Sequence, residues 1–130
     1  MSIPHTGKRH REFFRLQLDA AGADWSPVPS ATGLIEEQLL NDDLDVQRRS
    51  GSRTRLARWQ PGTVIDRPVV HDFHEEVLVL QGALVVGCDA EGHGGEAFAA
   101  PTFACRPPGA VHGPFASPQG CVLLEFQYFA

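Results

Sequence analysis

Val69-Val70-His71-Asp72-Phe73-His74-Glu75-Glu76-Val77-Leu78-Val79-Leu80-Gln81-Gly82 is the stretch that decides the fold, and Cys105-Arg106-Pro107-Pro108-Gly109-Ala110-Val111-His112 answers it further along the chain. Two histidines and two glutamates open an apolar run over residues 77–80, which reads as a strand. Imidazole and carboxylate groups are costly to bury without a partner, and a divalent metal accepts both. Side chains of an extended chain alternate between faces, so His71, Phe73 and Glu75 share one side while Asp72, His74 and Glu76 take the other. One histidine and one glutamate therefore point together. His112 is the candidate third group, because Pro107-Pro108-Gly109 forces a tight turn that can send the chain back past the first strand.

Outward from this core, turn residues punctuate short extended segments. Residues 33–40 and 53–59 read as strands, separated by the acidic turn Asn41-Asp42-Asp43 and by Arg48-Arg49-Ser50-Gly51-Ser52. In the second, Thr54, Leu56 and Arg58 lie on one face and Arg53, Arg55 and Ala57 on the other. Residues 83–86 pair with what precedes them, 91–96 form a loop in which His93 is exposed, 97–105 form a strand, 113–120 a loop and 121–129 a closing strand. Towards the N-terminus, residues 26–30 read as an extended connection, residues 14–18 alternate, and residues 20–24 break that pattern. Residues 5–15 form a basic arm with Phe13 and Phe14, either solvated or docked on a partner subunit. The expected organisation is an arm with a first strand over residues 1–24 and one domain over residues 25–130. Eight or so short strands without an amphipathic helix or a repeat predict an all-β fold of sandwich or jelly-roll type.

The chain has 130 residues, 42% of them hydrophobic and 21% charged, with ten prolines and thirteen glycines. That is enough to bury one core without disulfides or a structural metal, so a metal here would serve function. A net charge of −5 argues against nucleic-acid binding, which needs clustered Lys and Arg. No long apolar segment suggests a membrane span or signal peptide, and a cytoplasmic location is expected. Cys88, Cys105 and Cys121 have no metal-finger spacing and read as reduced, buried thiols.

The two motifs together resemble those of the cupins, whose first motif is G-x5-H-x-H-x3,4-E-x6-G and whose second contains P-x-G-x2-H. His71-x3-Glu75-x6-Gly82 matches the second half of the first, and Pro107-x-Gly109-x2-His112 the second. The phrases Glu-Glu-Val-Leu-Val-Leu-Gln-Gly and Pro-Pro-Gly-x-x-His-x-Pro-Phe-x-Ser-x-x-Gly-Cys look most like the ChrR-like branch, which includes an anti-sigma-factor metal-binding domain and small diketone-cleaving dioxygenases. The likeness covers roughly residues 25–128. Val69 stands where the first histidine of H-x-H belongs, Gly62 sits one residue early, Pro101 replaces the leading glycine of motif two, and Ala116 replaces its closing asparagine.

The resemblance implies a cupin-type double-stranded β-helix, or jelly-roll barrel, with one divalent metal on His71, Glu75 and His112. Two histidines and one carboxylate are a recognised Fe(II) set, but Zn, Mn and Ni accept the same donors and are not distinguished. A metal-free hydrogen-bonded cluster is the alternative. His74 becomes a fourth ligand if residues 72–74 bulge, and is otherwise outside the first sphere. Glu76 should face outward and pair with an arginine. Cys105 is a core thiol or a thiolate near the site, and Arg58, Gln127 and Tyr128 border the barrel. An apolar interior lined by Phe73, Val77 and Phe103 suits a small-molecule ligand. The function implied is a metal-dependent dioxygenase acting on a small dicarbonyl or phenolic compound. The alternatives are a non-catalytic binding or sensing module resembling the anti-sigma-factor domain, and a metal-independent isomerase with His74 or Glu76 as general base. A homodimer is expected, because an open sandwich has sheet edges to cover.

Overall fold

The computed structural model describes residues 8, 10–16, 18, 25–28 and 32–130. The readings placed on residues 5–7, 9, 17, 20–24 and 29–30 lie outside these. The described residues form nine strands, β1 (Ser26–Val28), β2 (Ile35–Asp42), β3 (Ser52–Trp59), β4 (Thr63–Ile65), β5 (His74–Val86), β6 (Glu96–Ala99), β7 (Thr102–Arg106), β8 (Phe115–Ser117) and β9 (Cys121–Tyr128). Every pairing between them is antiparallel. Among the described residues there is no helix, and hence none long and apolar enough to cross a membrane.

The decisive stretch becomes β5, which is shared by two walls. Its first part pairs with β9 on one side and β7 on the other, and β3, β2 and β1 continue that wall outward from β9. Its last residues, from Ala83 to Val86, pair instead with β6 and β8, and β4 follows β8. Residues 83–86 are thus the continuation of β5 rather than a separate hairpin partner. Gly82 makes the passage possible: its φ is +72°, and a Cβ there would lie 2.2 Å from the carbonyl oxygen of Gly120. The result is the all-β jelly-roll barrel that the resemblance implied.

Alternation fills the barrel. Ile35, Ala57, Trp59, Val77, Val79, Leu84, Phe115, Cys121 and Leu123 meet between the walls. The opposite parity of the larger wall carries Leu56 and Val122, which pack with Trp25 in a second cluster. Arg58 lies in this outer layer, its guanidinium 4.4 Å from the centre of the Trp25 ring and bonded to Glu36 at 2.8 Å.

Several local expectations give way. Asn41 and Asp42 extend β2, and the reversal falls between Asp45 and Ser50, which exchange backbone hydrogen bonds. The strand expected over 97–105 is broken at Ala100-Pro101 into β6 and β7, and the loop expected over 113–120 contains β8. The break leaves parity unchanged, since Phe98 pairs with inward Leu84 and Ala104 with inward Val77. Phe103 pairs with Leu78 and is 60% exposed, so it faces outward instead of lining the interior. Cys105 pairs with outward Glu76 and is exposed, neither in the core nor at the site, whereas Cys88 and Cys121 are buried.

Candidate metal centre

Two short segments are tied together at one mouth of the barrel. Val69 and His112 exchange backbone hydrogen bonds of 2.7 and 2.9 Å, the Gly109 amide donates to the His71 carbonyl at 2.9 Å, and the Ala110 amide closes the turn on the Pro107 carbonyl at 3.1 Å. This brings the His71 and His112 rings to 5.3 Å between centroids. Glu75, the second residue of β5, points inward between them and is only 4% exposed. One ligand atom from each of His71, Glu75 and His112 lies within 4.8 Å of the others. The two carboxylate oxygens face different rings, Oε2 at 3.9 Å from His71 Nε2 and Oε1 at 3.7 Å from His112 Nε2.

The three side chains are held in place. His112 Nδ1 lies 3.0 Å from the Ala110 carbonyl, which can only accept, so Nδ1 carries a proton and Nε2 turns to the cluster. His71 stacks on Phe73 at 4.5 Å. Glu75 accepts a hydrogen bond from Gln127 Nε2 at 2.7 Å on Oε2 and one from Arg106 Nη1 at 3.2 Å on Oε1. Gln127 is itself fixed, since its side-chain oxygen accepts from Arg53 Nε at 2.7 Å and also from Arg53 Nη2.

Burial lowers the pKa of both histidines, against the pull of Glu75 on His71 and of the Ala110 carbonyl and Glu75 on His112. Each Glu75 oxygen accepts one hydrogen bond and keeps a further lone pair, and His112 Nε2 is turned towards it, so the three side chains present acceptor atoms to one point. Two imidazoles and one carboxylate form a donor set that could hold a borderline divalent ion. The Arg53–Gln127–Glu75 chain is the outer support such a ligand set normally has.

The cluster opens on a cavity of about 520 Å³. Ile35, Ile65, Val69, Leu84 and Leu123 give it apolar walls, while Arg55, Arg106 and Glu125 add charge. Val69, in the place of the missing histidine, lines the cavity and packs against the core, so the described residues offer three donors. Arg55 bridges Glu125 at 2.8 Å and Glu37 at 2.7 Å. Burial raises the pKa of Glu125, with Arg55 opposing the shift.

The structure places the remaining candidates elsewhere. His74 lies outside the group, its ring stacked on Tyr128 at 5.0 Å: the chain bends at Asp72 and Phe73, but β5 begins at His74 with the parity opposite to inward Glu75. Glu76 faces outward, but its partner is the Tyr128 hydroxyl, which donates to Oε2 at 2.7 Å, rather than an arginine. His93 is exposed, its ring 3.9 Å from Asp89. Of the three residues expected to border the barrel, only Gln127 points in. Arg53, Arg55 and Arg106 were not singled out from sequence. The alternation of Arg53, Arg55 and Ala57 on one face was the available signal, since it leaves two guanidiniums on the interior side of a barrel strand.

The model of the ChrR cupin-like domain family matches residues 15–128. Among solved structures, an acetylacetone dioxygenase from Acinetobacter johnsonii is similar at 20% identity and TM-score 0.62, over 93% of this chain and 78% of that one. A protein described as a putative acetylacetone dioxygenase from Methylibium petroleiphilum is similar at 24% identity and TM-score 0.61, over 95% and 81%. A predicted oxalate decarboxylase from Thermotoga maritima matches at 12% identity and TM-score 0.61, over 82% and 92%. At these identities the likeness shows a shared fold. No curated protein sequence matches the chain.

Proposed function

Because the chain belongs to the ChrR cupin-like family, we propose that it is a metal-dependent dioxygenase, holding one divalent ion on His71, Glu75 and His112 and cleaving a small dicarbonyl or phenolic compound. The observation that carries this reading is the convergence of the three donors, within 4.8 Å of one another, on a largely apolar cavity. The fold-level likeness to proteins named acetylacetone dioxygenases directs the choice of substrate class. An Fe(II) ion bound here would supply Lewis acidity towards two substrate oxygens and access to dioxygen chemistry.

The chain's own residues do the rest. Ile35, Ile65, Leu84 and Leu123 exclude water and hold the apolar part of the substrate. Gln127 and the Ala110 carbonyl keep Glu75 and His112 in their ligating orientations. A cavity of about 520 Å³ suits a small molecule. Isomerase chemistry on His74 or Glu76 finds less support, because both face away from this space.

Elemental mass spectrometry on protein purified without a metal-affinity tag tests the proposal, beside a His71→Ala/His112→Ala control. The expected result is about one equivalent of metal per chain, lost in the control. Oxygen uptake with a small dicarbonyl should then depend on that metal and disappear in His112→Ala. Metal-free wild-type protein that stays inactive with added Fe(II) overturns the reading.

We further propose a cytoplasmic location and a homodimeric state. The outer face of the larger wall supports this, since Phe103 at 60% and Phe126 at 41% exposure leave an apolar surface beside Leu78 and Leu124. Light scattering that returned the 14.2 kDa monomer mass would reject the dimer.

A further inference from the structure

Arg106 is the residue of the cavity whose partner changes if a divalent ion binds. Its side chain is 14% exposed, and Glu75, at 3.2 Å, is its one carboxylate partner among the described residues. The guanidinium lies 5.3 Å from the centre of the Phe115 ring and lines the cavity. Arg55, the other guanidinium of the wall, is in a different position, because Glu125 and Glu37 both hold it. Arg67 at the mouth is exposed and pairs with Asp66 at 3.4 Å.

A carboxylate that ligates a divalent ion must share its single negative charge between that ion and any other cation beside it. Glu75 would then neutralise Arg106 only in part, and the guanidinium would lie beside a second cation in the same cavity. Neither His71 nor His112 brings a negative charge to offset this. A buried charge left without a partner is strongly unfavourable, so the metal-loaded cavity needs an anion. A planar fork of N–H donors is suited to a carboxylate or enolate oxygen pair.

We propose that Arg106 is the anion-receiving residue of the cavity, released from Glu75 when a divalent ion takes that carboxylate and then paired with a negatively charged oxygen of a small carboxylate or enolate substrate. The inference rests on the metal-centre reading above. It makes metal and anion binding cooperative, and by linkage each tightens the other by the same factor. It also sets specificity, because a neutral analogue of the same size leaves Arg106 unpaired.

Cobalt(II) titration followed by visible absorption tests the proposal on wild type, Arg106→Gln and Arg106→Lys. Each protein is titrated alone, with glycolate, and with glycolamide, which has similar size and no charge. In wild type, glycolate should tighten cobalt binding about tenfold more than glycolamide does. Arg106→Gln should bind cobalt alone about fivefold more tightly, since it no longer competes for Glu75, and should lose most of the preference for glycolate. Arg106→Lys should retain part of that preference, which carries the test if Arg106→Gln does not fold.

Equal preference for glycolate in wild type and Arg106→Gln overturns the role of Arg106 while leaving the metal centre intact. Glycolamide matching glycolate in wild type does the same without any variant. If folded wild-type protein binds no cobalt, the metal reading falls and takes the proposal with it, and the two failures are told apart by the titration without added anion.

Discussion

The inner and outer faces of β5 and β9 carry nearly the same polar residues a few ångströms apart. On the inner face, Glu75 accepts from Gln127 beside His71 and His112. On the outer face, Glu76 accepts from Tyr128, against which His74 is stacked. Both groups pair a glutamate of β5 with a hydrogen-bond donor of β9 and a nearby histidine. Water separates them. Glu75 is 4% and Gln127 1% exposed, whereas the outer partners are partly solvated. Inside, burial penalises the charged imidazolium and the histidine pKa values fall, which leaves neutral nitrogens available to a cation. Outside, the hydrogen bond to Glu76 merely raises the pKa of the Tyr128 hydroxyl. The same chemistry becomes a candidate site on one face and a solvated cluster on the other.

That contrast breaks most visibly in metal affinity. His112→Ala should lower it about 100-fold or more, while His74→Ala, equally a loss of an imidazole, should leave it unchanged. Competition with a chromophoric chelator reads both, and a matching loss in His74→Ala would mean that the ligand set has been drawn on the wrong face. Stability should divide the faces next. Glu75→Gln leaves Arg106 without its counter-ion and should cost the metal-free protein about 2–3 kcal/mol in urea denaturation. Glu76→Gln should shift the midpoint little, because water replaces the lost bond.

The division between faces was largely legible in the sequence. Alternation put Glu75 inward and His74 and Glu76 outward, because it is local and needs no knowledge of the partner strand, whereas His71 and Phe73 precede β5 at a bend and His71 is held by the Gly109 amide. The Pro-Pro-Gly turn and His112 were legible for the same reason. What could not be read depends on distant chain. Arg106 and Gln127 reach Glu75 across 31 and 52 residues, and a strand sequence does not announce its neighbour. Phe103 was misplaced because its face is fixed by pairing with outward Leu78 of β5, and an apolar run from 97 to 105 does not say which parity meets the core. Gly82 looked like the end of a strand, although the glycine permits β5 to pass from one wall to the other. Arg58 looked like a cavity residue only while the outer cluster around Trp25 was unknown.

A smaller difference should separate Gln127 from Tyr128, neighbours of opposite parity on the closing strand. Gln127 contacts no cavity ligand itself, yet it orients Glu75 and is oriented by Arg53. Gln127→Leu removes that support and should weaken metal binding about tenfold, with Glu125 and the fold retained. Tyr128→Phe removes only the bond to Glu76 and should leave the metal constant where it was. Equal effects of the two would show that β9 acts as a whole rather than through its inward carboxamide.

The smallest effect expected is a pH slope in the stability of the metal-free protein, and its sign follows from burial. His71 and His112 have folded-state pKa values below the ordinary 6.5, chiefly because burial penalises the imidazolium. In the unfolded chain both return to ordinary values, so in the window below about pH 6.5 the unfolded state binds more protons. Stability is therefore fully present above that window and declines as pH falls through it towards the folded pKa values. Urea midpoints of the chelator-treated protein, measured from about pH 7.5 down to about pH 5.5, should fall, and His71→Gln and His112→Gln should each flatten the decline. A decline that survives both substitutions would assign the slope to carboxylates. The inner face would then lose its claim to hold neutral imidazoles in waiting for a cation.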